Sequence, residues 1–330
     1  MMKTNDAVVF GAGHVPHYAV IFRTHFWDAF AQRQFDRIRQ NVKSGDIFVL
    51  VDETHGKVSG ITHDRVVRHT EQDLVDLGLP RAGGDNKLWA GASNMLWFNG
   101  DYPLYLFLRQ QPGYDYYLQM EYDVVINTDV DSLVLKAGTD GADFVGLTKG
   151  EPVDEWMWLH TCTDLYRMSE IRYKLICLSL FSNRGLTTLF EARLAMADKL
   201  RAGLIQAWPF CEGFIATEMA RNGFVSVEWS QYSETNHYDT WPPFVEADLF
   251  VMPSGSIVHP VLDRNRYVAS LMKVKVGLFG YLNPNSLLHR KLRRLPPSAY
   301  LKALMGTFTQ KVTRVLRSTS LGSHLRGRRV

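Results

Sequence analysis

Between residues 18 and 54 the chain changes its hydrophobic period twice. YAVIFRTH (18–25) is an apolar run that ends in polar residues, the pattern of a buried strand. FWDAFAQRQFDRIRQNVK (26–43) then sets Phe26, Phe30, Phe35, Ile38 and Val42 at helical spacing. Ser44-Gly45-Asp46 is a turn, and IFVLVDET (47–54) is a second apolar run that ends in acids. Strand, helix and strand joined by short links make a parallel crossover unit. Strands that are apolar along their whole length must be covered on both faces. The expected fold class is therefore α/β.

The remaining pattern extends that unit. Residues 55–85 read as loop with a short helix, and 86–113 as helix in two pieces. YDYYLQMEYDVVI (114–126) reads as a strand, and so does ADFVGLTKG (142–150). Residues 164–202 are mostly helical in pattern. FCEGFIATEMARNG (210–223) is a helix closed by glycine. FVSVEWS (224–230) is a strand, and 247–262 a strand, a turn and a short segment with His-Pro. The expected organisation is one α/β domain over 1–263 and a basic extension over 264–330. With 330 residues, 46% of them hydrophobic, the chain can fill a core of that size.

Charge marks the same boundary. Asp263 is the last acidic residue, and 264–330 holds fifteen Lys and Arg. Residues 1–263 carry 22 basic and 34 acidic side chains, a net of −12. Within the extension, 298–317 fits an amphipathic basic helix, a pattern that suits an anionic membrane surface. Nucleic acid is a weaker match, because no reading module accompanies the charge. Cys162, Cys177 and Cys211 form no CxxC pair, which points to a reducing compartment. No signal peptide is expected from the N-terminal residues. No run of about 18 apolar residues is present to span a bilayer.

Within 114–126, two carboxylates interrupt an apolar segment: Glu121 and Asp123, in the order Glu-Tyr-Asp. Along a strand, residues two apart share a face. Both acids would then project together at the carboxyl end of a buried strand, where open α/β sheets bind their ligands. Like charges that close repel unless a cation lies between them, and Mg²⁺ or Mn²⁺ prefers such oxygens. A paired, solvated strand end is the alternative. A rival pair follows in INTDVDSL: Asp129 and Asp131, an Asp-x-Asp placed where helix capping also explains it.

WFNGDYPLYLF, PGYDYYLQMEYDVVI and ADFVGL together resemble nucleotide-sugar glycosyltransferases of the GT-A type. More narrowly they resemble a bacterial and fungal set with Glu-Tyr-Asp in place of Asp-x-Asp. The resemblance covers roughly 18–262 and implies a GT-A-like, Rossmann-like mixed sheet, mainly parallel and flanked by helices. It implies a metal-dependent, hexosyltransferase-type enzyme that uses a nucleotide-sugar donor, while the basic extension alone points to a glycan or lipid-linked acceptor at the inner membrane face. It also implies Mn²⁺ or Mg²⁺ held by Glu121, Asp123 and a later histidine, His259. Arg23, Asp52 and Glu53, at the ends of the first two strands, would contact the nucleotide. Glu212, at a helix start, would be the catalytic base. Trp156 and Trp158 could stack on a sugar, with Asp154 and Glu155 nearby. The enzyme would be cytoplasmic, docked at the inner membrane face through 264–330.

Two other classes compete. Gly11 and Gly13, in VVFGAGHVPH, hint at an NAD(P)-dependent oxidoreductase, but the third glycine is absent and Pro16 interrupts the expected helix. A non-enzymatic membrane or nucleic-acid binder could rest on the basic extension alone.

Overall fold

The computed structural model describes residues 16–82, 94–148, 150–273 and 283–293. The Gly11/Gly13 segment and all of 294–330, including 298–317, lie outside the described residues. The chain divides into two compact units. Among the described residues one holds 16–239 and 252–259, and the other 240–251, 260–273 and 283–293. The change expected at 263 falls close to Pro260. The second unit also takes in 240–251, which sequence pattern assigns to the first.

The first unit begins with β1 (Tyr18–Thr24), α1 (Ala29–Asn41) and β2 (Asp46–Asp52). Asp28 starts α1 by accepting hydrogen bonds from Phe30 N at 2.9 Å and Ala31 N at 3.0 Å. β3 (Val66–His69), α2 (Glu71–Asp76), α3 (Asn94–Phe98) and α4 (Tyr102–Gln110) follow. After them come β4 (Tyr116–Glu121), β5 (Val125–Asn127), α5 (Val130–Thr139), β6 (Phe144–Leu147) and β7 (Leu175–Ser182). The unit continues with α6 (Asn183–Arg201), α7 (Cys211–Arg221), β8 (Ser226–Glu228), β9 (Glu234–Tyr238) and β11 (Ser256–His259).

Seven strands form one sheet in the order β3-β2-β1-β4-β7-β6-β8. β7 runs antiparallel to both neighbours, and the other four pairings are parallel. The fold is thus mixed α/β, mainly parallel and flanked by helices. Both faces are buried, as the apolar runs require. Tyr18, Val20 and Phe22 pack with α1 and α5, while Ala19 and Ile21 pack toward α4, α6 and α7. A second sheet of three strands, β5-β11-β9, is built from the turn after β4 and the end of the unit.

Four sequence expectations change. The strand over 114–126 is two strands: β4 stops at Glu121, Tyr122 and Asp123 turn, and β5 joins the other sheet. Residues 164–202 are not mostly helix, because LICLSLFS (175–182) is central strand β7; its apolar run fits either period. The loop 55–85 contains β3, and 246–251 is a 3-10 turn rather than strand.

The second unit pairs β10 (Phe244–Val245) with β12 (Val261–Leu262) and adds α8 (Arg264–Lys273) and α9 (Leu287–Arg293). Leu262, Tyr267, Leu271, Leu288 and Leu292 form its core. Among the described residues, no helix is long and apolar enough to cross a membrane.

A fully buried ion pair fixes the helical layer. Arg193 of α6 reaches Asp101 before α4 through Nε–Oδ2 at 2.7 Å and Nη2–Oδ1 at 3.2 Å. Tyr105 donates its hydroxyl to the same carboxylate at 2.9 Å, and the guanidinium lies 3.7 Å from the Phe214 ring centre. Removing one partner strands a buried charge, whereas removing both does not. Arg193→Met or Asp101→Asn alone should lower unfolding stability by about 3–5 kcal/mol. The double variant Arg193→Met/Asp101→Leu should cost less than either single change, read by urea denaturation.

Candidate functional site

The end of β4 carries the site. Glu121 is its last residue and stands beside Arg23 of β1 in the parallel register. The turn closes with Val124 N donating to Glu121 O at 3.0 Å. Asp123 therefore lies in a turn, and strand parity does not explain why its carboxylate lies near that of Glu121. The tertiary fold does. β5 runs antiparallel to β11, pairing Val125 with Val258 and Ile126 with Ile257. That pairing brings His259, the last residue of β11, to the turn.

His259 is buried. Its Nδ1 lies 2.5 Å from the Asp239 carbonyl oxygen, which can only accept, so Nδ1 carries the proton. Nε2 faces Asp123 Oδ1 at 3.7 Å. That oxygen is buried and has no hydrogen-bond partner. Burial pushes the Asp123 carboxyl up to about 6, with His259 acting downward and Glu121 upward. A buried carboxylate oxygen without a hydrogen-bond partner, 3.7 Å from an imidazole nitrogen, is a place that a cation would complete.

The cluster has a member that the sequence did not announce. Ligand atoms of Glu121, Cys177 and His259 lie within 4.8 Å of one another, so the three could hold a metal ion. Cys177 lies on β7, beside β4. Burial raises its thiol well above the ordinary range, and Glu121, Glu212 and Asp123 raise it further. Asp123 Oδ1, 3.7 Å from His259 Nε2, is a further oxygen beside the cluster of Glu121, Cys177 and His259, and carboxylates with an imidazole suit a hard or borderline divalent cation.

Next to it, a cavity of about 490 Å³ opens across the carboxyl ends of β1, β2, β3 and β4. Arg23, Asp52, His69, Trp97, Glu121 and Tyr122 are among its lining residues. Nη1 of Arg23 donates to Gly100 O and to Gln119 Oε1, both at 2.7 Å. Asp52 accepts from Thr54 N at 2.8 Å and also borders an adjoining cavity of about 380 Å³. His69 pairs with Asp52 in the strand register and is 3% exposed. Burial lowers its pKa, Asp52 opposes that, and Arg23 adds to it, so the ring is neutral at neutral pH.

The other candidates separate clearly. Glu53 is held by its own loop, accepting from Val58 N at 2.9 Å and from Arg68. Glu212 sits in the first turn of α7, and its charge acts on Cys177 and Tyr238 beside the cluster. Asp129 caps α5, accepting from Asp131 N at 3.1 Å, and meets Lys43 at 3.0 Å. Asp131 accepts from Lys43 N at 2.8 Å, Ser44 N at 2.9 Å and the Ser44 hydroxyl. The rival Asp-x-Asp is thus occupied by backbone and side-chain donors. Trp156 stacks on Tyr173 at 4.9 Å and Trp158 on Phe210 at 4.8 Å, both 6% exposed. A Cβ at Gly213 would lie 2.5 Å from the Trp156 ring, so these indoles are packed core. Asp154 and Glu155 are exposed on a 3-10 turn. Sequence reasoning missed Cys177, His69 and Trp97. Only Cys177 had a signal, the apolar run of β7, and its helix-compatible pattern hid it.

No protein-family model matches the chain, and no curated protein sequence matches it. Among solved structures the chain is similar to the apo form of mouse xyloside xylosyltransferase 1. The two are 12% identical, with 74% of this chain and 97% of that chain covered and a TM-score of 0.43. A likeness that coarse carries no functional inference.

Two measurements follow from the geometry. With divalent cations chelated, Asp123→Asn removes a buried, unpaired charge at nearly constant shape. The variant should melt above the wild type, and added Mn²⁺ should stabilise only the wild type. For Asp131, burial acts upward, but the Ser44 hydroxyl and the Lys43 and Ser44 amides outweigh it and hold the carboxyl below its usual range. Its contribution is complete above the ordinary carboxylate pKa and is lost as pH falls through the depressed one. Asp131→Asn should cost about 1–2 kcal/mol at pH 7, and the gap should narrow below about pH 4.

Proposed function

We propose that the protein is a metal-dependent glycosyltransferase of GT-A type that uses a nucleotide-sugar donor. One observation carries the reading: Glu121 belongs both to the donor set around His259 and to the cavity at the carboxyl ends of the parallel strands. A cation site that opens into a cavity holding an arginine suits a diphosphate, whose oxygens satisfy both. Strand order reverses there, with β2 on one side of β1 and β4 on the other, where open α/β sheets bind nucleotides.

Glu121, Asp123 and His259 would hold Mn²⁺ or Mg²⁺, which supplies charge neutralisation to the diphosphate leaving group. Arg23 would bind the phosphates through its forked donors. Asp52 would accept from ribose hydroxyls or a base N–H. Glu53, clasped in its loop, would act only by shaping the wall beside Asp52. Glu212 would take the proton of the acceptor hydroxyl as that oxygen bonds to the anomeric carbon. The bond from that carbon to the diphosphate oxygen breaks, and its electron pair leaves with the diphosphate. The acceptor would be a glycan or a lipid-linked glycan, and the transferred group a hexose. Fifteen basic side chains and no acid over 264–330 support docking at an anionic inner-leaflet surface.

A thermal-shift panel of UDP- and GDP-sugars tests the donor site. Wild type should gain stability with donor only when Mn²⁺ or Mg²⁺ is present, by about 2.7 kcal/mol at a hundredfold excess over Kd. Asp123→Ala should lose the response, and its absence in wild type would end the reading. Glu212→Gln should keep the shift but lose about 10²–10⁴-fold in transfer rate. Liposome pelleting with and without 264–330 tests docking, and equal binding by both chains would refute it.

A further inference from the structure

We propose that Trp97 is a stacking platform for a pyranose ring of the acceptor, an inference that rests on the glycosyltransferase reading. Trp97 is 47% exposed. Of the exposed large apolar side chains among the described residues, it is the one that lines the cavity containing Glu121. Scattered exposed apolar residues need no explanation, but one at a ligand cavity does.

The ring is supported from beneath. Trp158 meets it edge-on at 5.2 Å, Phe210 lies tilted against it at 5.1 Å, and these two stack on each other at 4.8 Å. An indole held in this way presents a flat surface at little cost in conformational entropy. The packed Trp156 and Trp158, which sequence reasoning offered as sugar contacts, are too buried to serve. Trp158 acts instead by holding Trp97.

The chemistry of the cavity selects the ligand. Its apolar part is Leu96, Trp97 and Pro103, and its polar part includes Arg23, Asp52, His55 and Glu71. A wholly apolar ligand would desolvate those charges without pairing them. A pyranose has a C–H face for the indole and a rim of hydroxyls for the polar groups. A nucleobase also stacks, but Trp97 leans on Phe210, the residue before α7, whose first turn carries Glu212. Glu212 is the group assigned to the acceptor hydroxyl, so the ring beside that segment belongs to the acceptor.

The test uses the full chain with EDTA and no nucleotide, titrated with xylotriose, mannotriose, cellotriose and maltotriose by saturation-transfer NMR. At least one trisaccharide should bind. Trp97→Ala should weaken it about tenfold, the scale of one aromatic contact. Trp97→Phe, which keeps a stacking face, should restore most of the affinity, and matched melting curves would verify the fold of both variants. Affinity for UDP and GDP with Mn²⁺ should be unchanged. The proposal is overturned if no trisaccharide binds, if Trp97→Ala binds as well as wild type, or if that variant weakens the nucleotide instead. Trisaccharide binding lost in Trp97→Ala, in a protein without metal-dependent nucleotide binding, would support the platform and reject the transferase reading.

Discussion

The antiparallel pairing of β5 with β11 is the contact on which the site depends. Val125 lies opposite Val258 and Ile126 opposite Ile257, residues more than 130 positions apart in the chain. Side chains of that ladder are buried, so a slip by one residue would turn apolar groups out and polar groups in. The register is therefore firmly set. Because it is set, the residue that follows Val258 is delivered to the turn that precedes Val125. His259 meets Asp123 there, and the Asp239 carbonyl fixes which nitrogen faces the carboxylate.

A cost accompanies this arrangement. Asp123 keeps a buried oxygen without a hydrogen bond, and its carboxyl is pushed toward neutrality by its surroundings. Elsewhere the chain satisfies its buried carboxylates. Asp101 has Arg193 and the Tyr105 hydroxyl, Asp143 has Arg184 and the Ser182 hydroxyl, and Asp131 has two amides and a hydroxyl. Among the buried side-chain atoms of the described residues that lack a hydrogen-bond partner, Asp123 Oδ1 is the one carboxylate oxygen. Strain of this kind is expected where a ligand completes the structure.

Much of the scaffold was legible because it depends on local periodicity. The run 18–25, the helix stripe from Phe26 to Val42 and the run 47–54 became β1, α1 and β2 with small changes at their ends. Asp129 and Asp131 could be read as first-turn and capping residues; Asp129 is the cap of α5, and Asp131, in its first turn, ties down the turn at Lys43 and Ser44. Periodicity failed where it is ambiguous. The apolar run of β7 fits a helix as well as a strand, and misreading it hid Cys177 beside Glu121. The Glu-Tyr-Asp segment was read as one strand because nothing local marks the turn at Tyr122 and Asp123.

The sequence by itself determined the α/β class, the buried character of the central strands and the charge contrast between 1–263 and 264–330. These follow from which side chains are apolar and how they are spaced. It also marked Glu121 and Asp123 as acids that an apolar segment does not readily tolerate. Only the tertiary structure decided that these acids belong with His259 and Cys177, that Asp129 and Asp131 are occupied elsewhere, and that Trp97 rather than Trp156 or Trp158 faces the cavity. The physical reason is distance along the chain. Spacing encodes which residues share a strand or helix face. Which faces meet is set by long-range pairing and packing, and no local pattern contains that.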